Sequence, residues 1–260
     1  MMVMSETPAH NWFVRPRPRP FASRRLLCVP YAGAGPGVFR HWAERSWDLD
    51  VTIAHLPGRN PRAGRAGCES VADIADRLAE ALPSHDVRPL AIFGCSLGAL
   101  IAFELARRCC PASLLVASRR APHIPESLPP LAGLAQAAFV DEVQRRYGHA
   151  IPPEVLNDPA ISALLLPVLQ ADVALVERYV YVAGTRLTCP VAAYGGADDA
   201  HVSQHDLDAW RLETSGPFAS RQFAGGHFFV QSERDAVLEA VECDVAAFGS
   251  AAPSSTRDGS

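Results

Sequence analysis

The sequence lacks the patterns that mark metal-binding, secreted and membrane proteins. It has no Cys-x-x-Cys pair, and its nine histidines match no zinc-ligand spacing, so we expect no metal site. Residues 1–20 lack an apolar core of signal-peptide length, and by its pattern no later stretch approaches a membrane span. These absences predict a cytoplasmic protein that does not enter a membrane.

A large excess of one charge is also absent. The formal net charge is -4 over 260 residues, so neither nucleic acid nor an anionic membrane is expected as the main partner. The seven cysteines are odd in number, which together with the chain's size indicates a reducing compartment. Cys95 could be a reactive thiol, but a buried small side chain is the favoured interpretation.

Short apolar runs alternate with helical patterns along most of the chain. Apolar residues recur at three and four positions, as on one face of a helix, in 69–82, 99–108 and 237–248. The alternation predicts an α/β fold with a mostly parallel sheet covered on both faces. The candidate strands are 26–31, 51–54, 90–93, 114–117, 191–194 and 220–223.

The segment 125–187 breaks this alternation, because it contains two or three helical patterns and no strand candidate. Inserted between the later strands of a parallel sheet, it is predicted to form a helical lid over their carboxyl ends. An extra packing layer without a role in substrate binding is the alternative. We therefore divide the chain into an N-terminal arm (1–25), a domain containing the lid (26–249) and a disordered tail (250–260).

The run Gly94-Cys95-Ser96-Leu97-Gly98 lies between an apolar strand and a helical pattern. This is the context of a nucleophile elbow, a tight and strained turn in which side chains at the two glycine positions would collide with neighbouring backbone. The amides of the following helix favour negative charge beside the serine. Ser96 is therefore the predicted nucleophile, with a structural serine as the alternative.

A serine hydroxyl needs a base. In an α/β fold with a nucleophile elbow, this base follows the acid along the chain. His227 is the candidate, because it follows two glycines in a loop after the last predicted strand. The loop after strand 191–194 offers Asp198 and Asp199 as the acid, and spacing leaves both open. His201 and His205 lie in a polar stretch and are expected at the surface.

Two backbone amides should stabilise the oxyanion of a tetrahedral intermediate. One is predicted to be that of Leu97, which follows the nucleophile, and the other that of Ala32 in the loop after the first strand. A glycine-rich loop at this place could also bind a nucleotide. The sequence, however, gives neither the full dinucleotide fingerprint nor a P-loop lysine.

Taken together, these motifs resemble type II thioesterases, which accompany modular polyketide synthases and nonribosomal peptide synthetases. The resemblance covers roughly residues 26–248 and includes Phe39 and Trp42. Its motifs are Pro30-Tyr31-Ala32-Gly33-Ala34-Gly35, Pro57-Gly58-Arg59, Phe93-Gly94-Cys95-Ser96-Leu97-Gly98-Ala99, Ser118-Arg119-Arg120-Ala121-Pro122, Gln170-Ala171-Asp172, Gly196-Ala197-Asp198-Asp199 and Gly225-Gly226-His227-Phe228.

The resemblance implies an α/β-hydrolase fold and selects Asp199 as the acid, because Gly196 and Val202 flank it at the family's spacing. It also maps the first-loop oxyanion donor to Ala32. Asn60 departs from the family, which often has an acidic residue at this place.

The implied activity is hydrolysis of acyl thioesters on the phosphopantetheine arm of acyl or peptidyl carrier domains. Removal of stalled or aberrant acyl groups is the usual task, and release of starter units or finished chains is a variant. No cofactor of its own is implied, and a monomer is expected. The alternatives are a small-molecule esterase or lipase on the same fold, and a catalytically silent partner of a synthase.

Overall fold

The computed structural model describes residues 11–45, 48–59, 68–148 and 150–250. A seven-stranded sheet runs through them in the order β1-β3-β2-β4-β5-β6-β7. All neighbouring strands are parallel except β1, which pairs antiparallel with β3. The strands are β1 Phe13–Val14, β2 Arg24–Val29, β3 Leu49–Ala54, β4 Leu90–Cys95, β5 Ser113–Ala117, β6 Val191–Gly196 and β7 Phe218–Phe223.

Helices cover both faces of this sheet, as the alternation predicts. The helices α1, α8 and α9 lie against one face, and α2, α3 and α7 lie against the other. The bounds are α1 Arg40–Glu44, α2 Val71–Ala81, α3 Leu97–Cys109, α4 Gln136–Tyr147, α5 Pro153–Asn157, α6 Pro159–Glu177, α7 Gln204–Asp208, α8 Phe229–Ser232 and α9 Arg234–Ser250. The α/β-hydrolase fold expected from the sequence is thereby confirmed.

Successive strand residues point to opposite faces, which divides the apolar residues into two cores. In β2, for example, Leu27 packs with α2 and α3, whereas Leu26 and Cys28 pack with the α1 and α9 side. Each buried strand carries apolar residues on both faces, so its sequence is a continuous apolar run. This explains why the runs were recognisable from the sequence alone.

The predicted N-terminal arm is not separate from the domain, because part of it belongs to the sheet. Its residues Phe13 and Val14 form β1 at the sheet edge, and β2 begins at Arg24 rather than at residue 26. Buried Asp50 accepts hydrogen bonds from the side chain of Arg15 and the amide of Arg19. A buried carboxylate requires such partners, and the arm supplies these two while Arg88 donates a further bond at 2.9 Å. The predicted disordered tail lies outside the described residues beyond Ser250.

The segment between β5 and β6 is helical, as predicted, and consists of α4, α5 and α6. Its helices share a small core of their own, formed by Leu131, Phe139, Val143, Ile151 and Leu166. The expectation that no segment approaches a membrane span was wrong for α6, which is long and apolar enough by length and composition alone. Composition misleads here because one wall of a cavity and an exposed apolar surface lie on the same helix.

Candidate active site

Ser96 occupies a strained turn between β4 and α3, as an elbow requires. Its φ of 54° lies in the left-handed region, which a residue with a side chain rarely adopts. A Cβ at Gly94 would lie 2.2 Å from the carbonyl oxygen of Gly98, and one at Gly98 would lie 2.1 Å from that of Val29. The two glycines are therefore needed because backbone approaches backbone at both positions.

Ser96, His227 and Asp199 form one hydrogen-bonded chain. With its proton on Nδ1, His227 donates to Asp199 Oδ2 at 2.8 Å, and Nε2 accepts from Ser96 Oγ at 3.2 Å. Asp199 lies in the loop after β6, and His227 in the loop after β7. The structure thus brings together the three residues that the sequence analysis selected for catalysis.

The surroundings of Asp199 keep its carboxylate charged. Its side chain is 1% exposed, and this burial alone would raise the carboxyl pKa. Hydrogen bonds from His227 and from the amide of His201 outweigh that effect, so the pKa of Asp199 lies below its ordinary value. The neighbouring Asp198 is exposed to solvent, so only Asp199 is positioned to orient the imidazole.

Of the two predicted oxyanion donors, one directly follows the nucleophile and the other lies in the loop after β2. Leu97 is the first residue of α3, where backbone amides have no partner within the helix. Ala32 and Ser96 line the same cavity. Among the described residues, the Ala32 amide has no hydrogen-bond acceptor. The adjacent amide of Gly33 is already used, since it donates to Asp172 at 2.8 Å.

A cavity of about 310 Å³ lies above the serine and is roofed by the helical segment. One part of its wall is charged or polar and includes Arg119, Arg120 and Glu126. The other part is apolar and comes mostly from the roof, with Leu131, Val143, Ile151, Leu166, Leu169 and Val173. Such a space suits an apolar chain whose reactive end lies at the serine.

Three residues at this site were missed or misjudged from the sequence. Tyr147 of α4 lies with its ring centroid 4.8 Å from that of His227, and buried Ser118 donates through Oγ to the His227 carbonyl at 2.7 Å. His201, expected at the surface, is half-buried and lines the cavity, whereas His205 is exposed as expected. Tyr147 was visible only as part of an apolar helical stripe, and Ser118 only as part of a family motif.

Cys95 precedes the serine but points into the sheet's packed face. It is 1% exposed, and burial raises the pKa of its thiol to about 12. At neutral pH the thiol is therefore protonated, as expected for a small apolar residue. Among the described residues, no group of three or more His, Cys, Asp or Glu side chains lies close enough to hold a metal ion.

Comparison with known proteins identifies the family. The thioesterase domain model matches residues 24–244, which is most of the chain. The chain belongs to the thioesterase family. This membership confirms the resemblance inferred from the motifs and makes the protein a hydrolase of the α/β-hydrolase type.

This thioesterase is similar to curated biosynthetic proteins along most of its length. The gramicidin S biosynthesis protein GrsT of Aneurinibacillus migulanus is 33% identical over 237 residues, covering 88% of this chain and 92% of GrsT. Thioesterase PikA5 of Streptomyces venezuelae is 34% identical over 231 residues, covering 85% of this chain and 81% of PikA5.

Solved structures give the same result for the fold of this thioesterase. The type II thioesterase BorB from the borrelidin biosynthetic cluster superimposes with a TM-score of 0.80 at 33% identity, covering 90% of this chain and 97% of BorB. RedJ, the thioesterase of the prodiginine pathway in Streptomyces coelicolor, has a TM-score of 0.78 at 32% identity, covering 88% of this chain and 93% of RedJ.

Proposed function

We propose that this enzyme hydrolyses acyl thioesters carried on the phosphopantetheine arm of acyl or peptidyl carrier domains, by way of a covalent acyl-enzyme. The observation that carries the proposal is the hydrogen-bonded chain of Ser96, His227 and Asp199 at the base of a roofed, largely apolar cavity. Editing of stalled or aberrant acyl groups fits a discrete enzyme of this kind.

In the first step, Ser96 Oγ attacks the thioester carbonyl while His227 Nε2 takes the hydroxyl proton. Asp199 holds the imidazole with its Nδ1 proton directed at the carboxylate and stabilises the imidazolium that forms. The amides of Ala32 and Leu97 stabilise the oxyanion. The carbon–sulfur bond then breaks, and the leaving thiolate takes the proton from His227.

In the second step, water attacks the acyl-enzyme carbonyl and gives a proton to His227 Nε2. The bond between the acyl carbon and Ser96 Oγ breaks, and the serine oxygen takes that proton back. The products are a carboxylic acid and the free enzyme.

Two further observations support a carrier-bound substrate. The roof leaves room above Ser96 for an acyl chain, and apolar side chains from α4 and α6 line that room. The relatives GrsT and BorB are named for gramicidin S biosynthesis and for the borrelidin cluster. We propose accordingly that the partners are carrier domains of a polyketide or nonribosomal peptide synthase. The arm then arrives with the substrate, and the enzyme acts as a cytoplasmic monomer without a cofactor of its own.

The decisive test compares one acyl group in three contexts: on a holo carrier domain, as its N-acetylcysteamine thioester and as its p-nitrophenyl ester. Release of the carrier thiol, of N-acetylcysteamine or of p-nitrophenol gives kcat/KM for the respective substrate. The proposal predicts the highest kcat/KM for the carrier-bound thioester, and no turnover above background with Ser96→Ala. The profile should then be extended over acyl groups of increasing length and branching.

A strong preference for the p-nitrophenyl ester would instead identify a small-molecule esterase on the same fold. If no substrate were hydrolysed and a fluorophosphonate failed to label Ser96 in folded protein, the chain would be a silent partner. Either result would overturn the proposal.

A further inference from the structure

Two motifs of the family resemblance have no role in the mechanism described so far. Pro57-Gly58-Arg59 follows β3, and Gln170-Ala171-Asp172 lies in α6, more than a hundred residues later in the chain. In the fold they meet beside residues 31–34, which we call the oxyanion loop because it contains Ala32. Their meeting point links the roof of the cavity to the loop that supplies an oxyanion donor.

Asp172 connects α6 to the oxyanion loop directly. It is completely buried, and its Oδ2 accepts a hydrogen bond from the Gly33 amide at 2.8 Å. Gly33 immediately follows Ala32, so this bond fixes the peptide plane next to the proposed oxyanion donor. It also occupies the Gly33 amide, whereas the Ala32 amide has no hydrogen-bond acceptor among the residues that the structure describes.

Arg59 holds both Asp172 and the other end of the loop. Its guanidinium binds the Asp172 carboxylate through two nitrogens, with Nη1 at 3.1 Å from Oδ1 and Nη2 at Oδ2. The Nε group donates to the Ala34 carbonyl at 3.0 Å, and Nη1 also donates to the Pro57 carbonyl at 2.9 Å. The arginine side chain is 7% exposed and that of the aspartate 1%, so little water competes for these bonds.

Close packing reinforces the same connection. Gly33 has a φ of +76°, and a Cβ placed on it would lie 2.9 Å from Leu169 Cδ1, one turn before Asp172 on α6. The oxyanion loop is therefore pressed against α6, and its backbone conformation favours glycine. Moving α6 away would remove the partner of the Gly33 amide and leave the Arg59 charge buried without its carboxylate.

We propose that Asp172 and Arg59 are positioning residues that make the oxyanion hole dependent on the docking of α6. They bind the Gly33 amide and the Ala34 carbonyl of the oxyanion loop, so that the Ala32 amide points where negative charge develops. Neither residue reacts with the substrate.

This inference rests on the serine mechanism proposed above but needs no carrier-bound substrate for its test. Asp172→Asn keeps the shape of the side chain and removes the charge that orients Arg59. Loss of one oxyanion donor typically costs about 10²- to 10³-fold in kcat, and a misplaced donor should cost about 10- to 100-fold. We expect that loss in kcat for a small acyl thioester, with KM nearly unchanged.

The rate of fluorophosphonate labelling of Ser96 provides an independent readout, since the phosphoryl oxygen uses the same amides. It should fall by about the same factor in Asp172→Asn. The matched control is Asp244→Asn on α9, because Asp244 is also buried and accepts bonds from Arg221 and Tyr194, and none of these three residues lines the cavity. That control should lose stability while keeping kcat and the labelling rate of its folded fraction.

Arg59→Lys serves as a second variant should Asp172→Asn fail to fold. Lysine keeps the positive charge but has no planar fork to join Asp172, Ala34 and Pro57 at once, so an intermediate loss of kcat is expected. Wild-type labelling rates in folded Asp172→Asn or Arg59→Lys would overturn the inference. So would an equal loss in Asp244→Asn, which would indicate a general effect of stability. Failure to label wild-type Ser96 would instead refute the proposed function.

Discussion

Two apolar helices border the site, and they differ in almost every other respect. In α3, which follows the nucleophile, ten of thirteen residues are buried. In α6, which roofs the cavity, only Leu166, Asp172 and Leu175 of nineteen residues are buried, although the helix is apolar nearly all round. The helix α3 packs against both the sheet and α2, whereas α6 has the protein on one side and solvent on the other.

This difference separates the parts of the site by function. The reacting groups Ser96, Asp199 and His227 all come from loops after parallel strands, and α3 fixes the first of them in place. The roof supplies the apolar wall and, through Asp172, holds the oxyanion loop. The well-packed sheet and α3 keep the reacting atoms aligned, while the less buried roof can admit acyl chains of different shape.

The largest effect on activity should come from the reacting side chains at the well-packed sheet. Ser96→Ala and His227→Ala should each lower kcat at least about 10⁴-fold, because neither nucleophile nor base can be replaced by a neighbour. Asp199→Asn should be severe, since the amide no longer favours the reactive tautomer. Asp198→Asn is the matched control and should leave kcat close to that of wild type.

Thioester hydrolysis by folded protein, checked by circular dichroism, measures these losses. A mild Asp199→Asn and a severe Asp198→Asn would exchange the two assignments and contradict the hydrogen bond described here.

The second largest effect should come from the backbone packing beneath the nucleophile. Gly98→Ala places a Cβ against the Val29 carbonyl, so we expect a loss of about 3 kcal/mol in the free energy of unfolding. Gly133→Ala in the roof is the control, because a Cβ there meets nothing within 4 Å. It should change the free energy of unfolding by less than about 1 kcal/mol. Equal losses of unfolding free energy in the two variants, measured by urea denaturation, would refute the contrast between the packed sheet and the roof.

A third prediction compares two leucines on the contrasted helices. Leu100 of α3 is fully buried, and Leu100→Ala should cost about 3 kcal/mol of unfolding free energy because it leaves a cavity. Leu164 of α6 is 50% exposed, and Leu164→Ala should cost less than about 0.5 kcal/mol. Thermal and chemical denaturation measure both values. A large cost at Leu164 would show that the exposed face of α6 is covered in solution.

The smallest effect on activity is expected from alkylation of the cysteine thiols. Cys110 and Cys243 are exposed and should react with iodoacetamide at pH 8, whereas Cys95 should not, since burial raises the pKa of its thiol to about 12. Mass spectrometry of peptides identifies the modified residues, and activity should be unchanged. Modification of Cys95 in folded enzyme, with a matching loss of activity, would make it part of the site.

The sequence predicted those features that depend on local pattern. Ser96, His227 and the buried strands β2 to β6 could be found because an elbow, a glycine-flanked loop and a continuous apolar run each consist of neighbouring residues. The choice of Asp199 needed the family resemblance, since spacing alone did not exclude Asp198.

Other features could not be predicted because they depend on how distant segments pack. The two-residue strand β1 exists through its pairing with β3. The contact of Tyr147 with His227, the bond from Ser118 to the His227 carbonyl and the pairing of Arg59 with Asp172 each join residues that are far apart in the chain. Asn60, at which the sequence departs from the family, lies outside the described residues.

The most direct test of the central claim is detection of the acyl-enzyme itself. A carrier-bound acyl thioester is mixed with enzyme, quenched in acid within one turnover and digested for mass spectrometry. We predict one acyl group on the peptide that contains Ser96, and none in Ser96→Ala. Acylation of another residue, or hydrolysis without any acylated Ser96, would contradict the account.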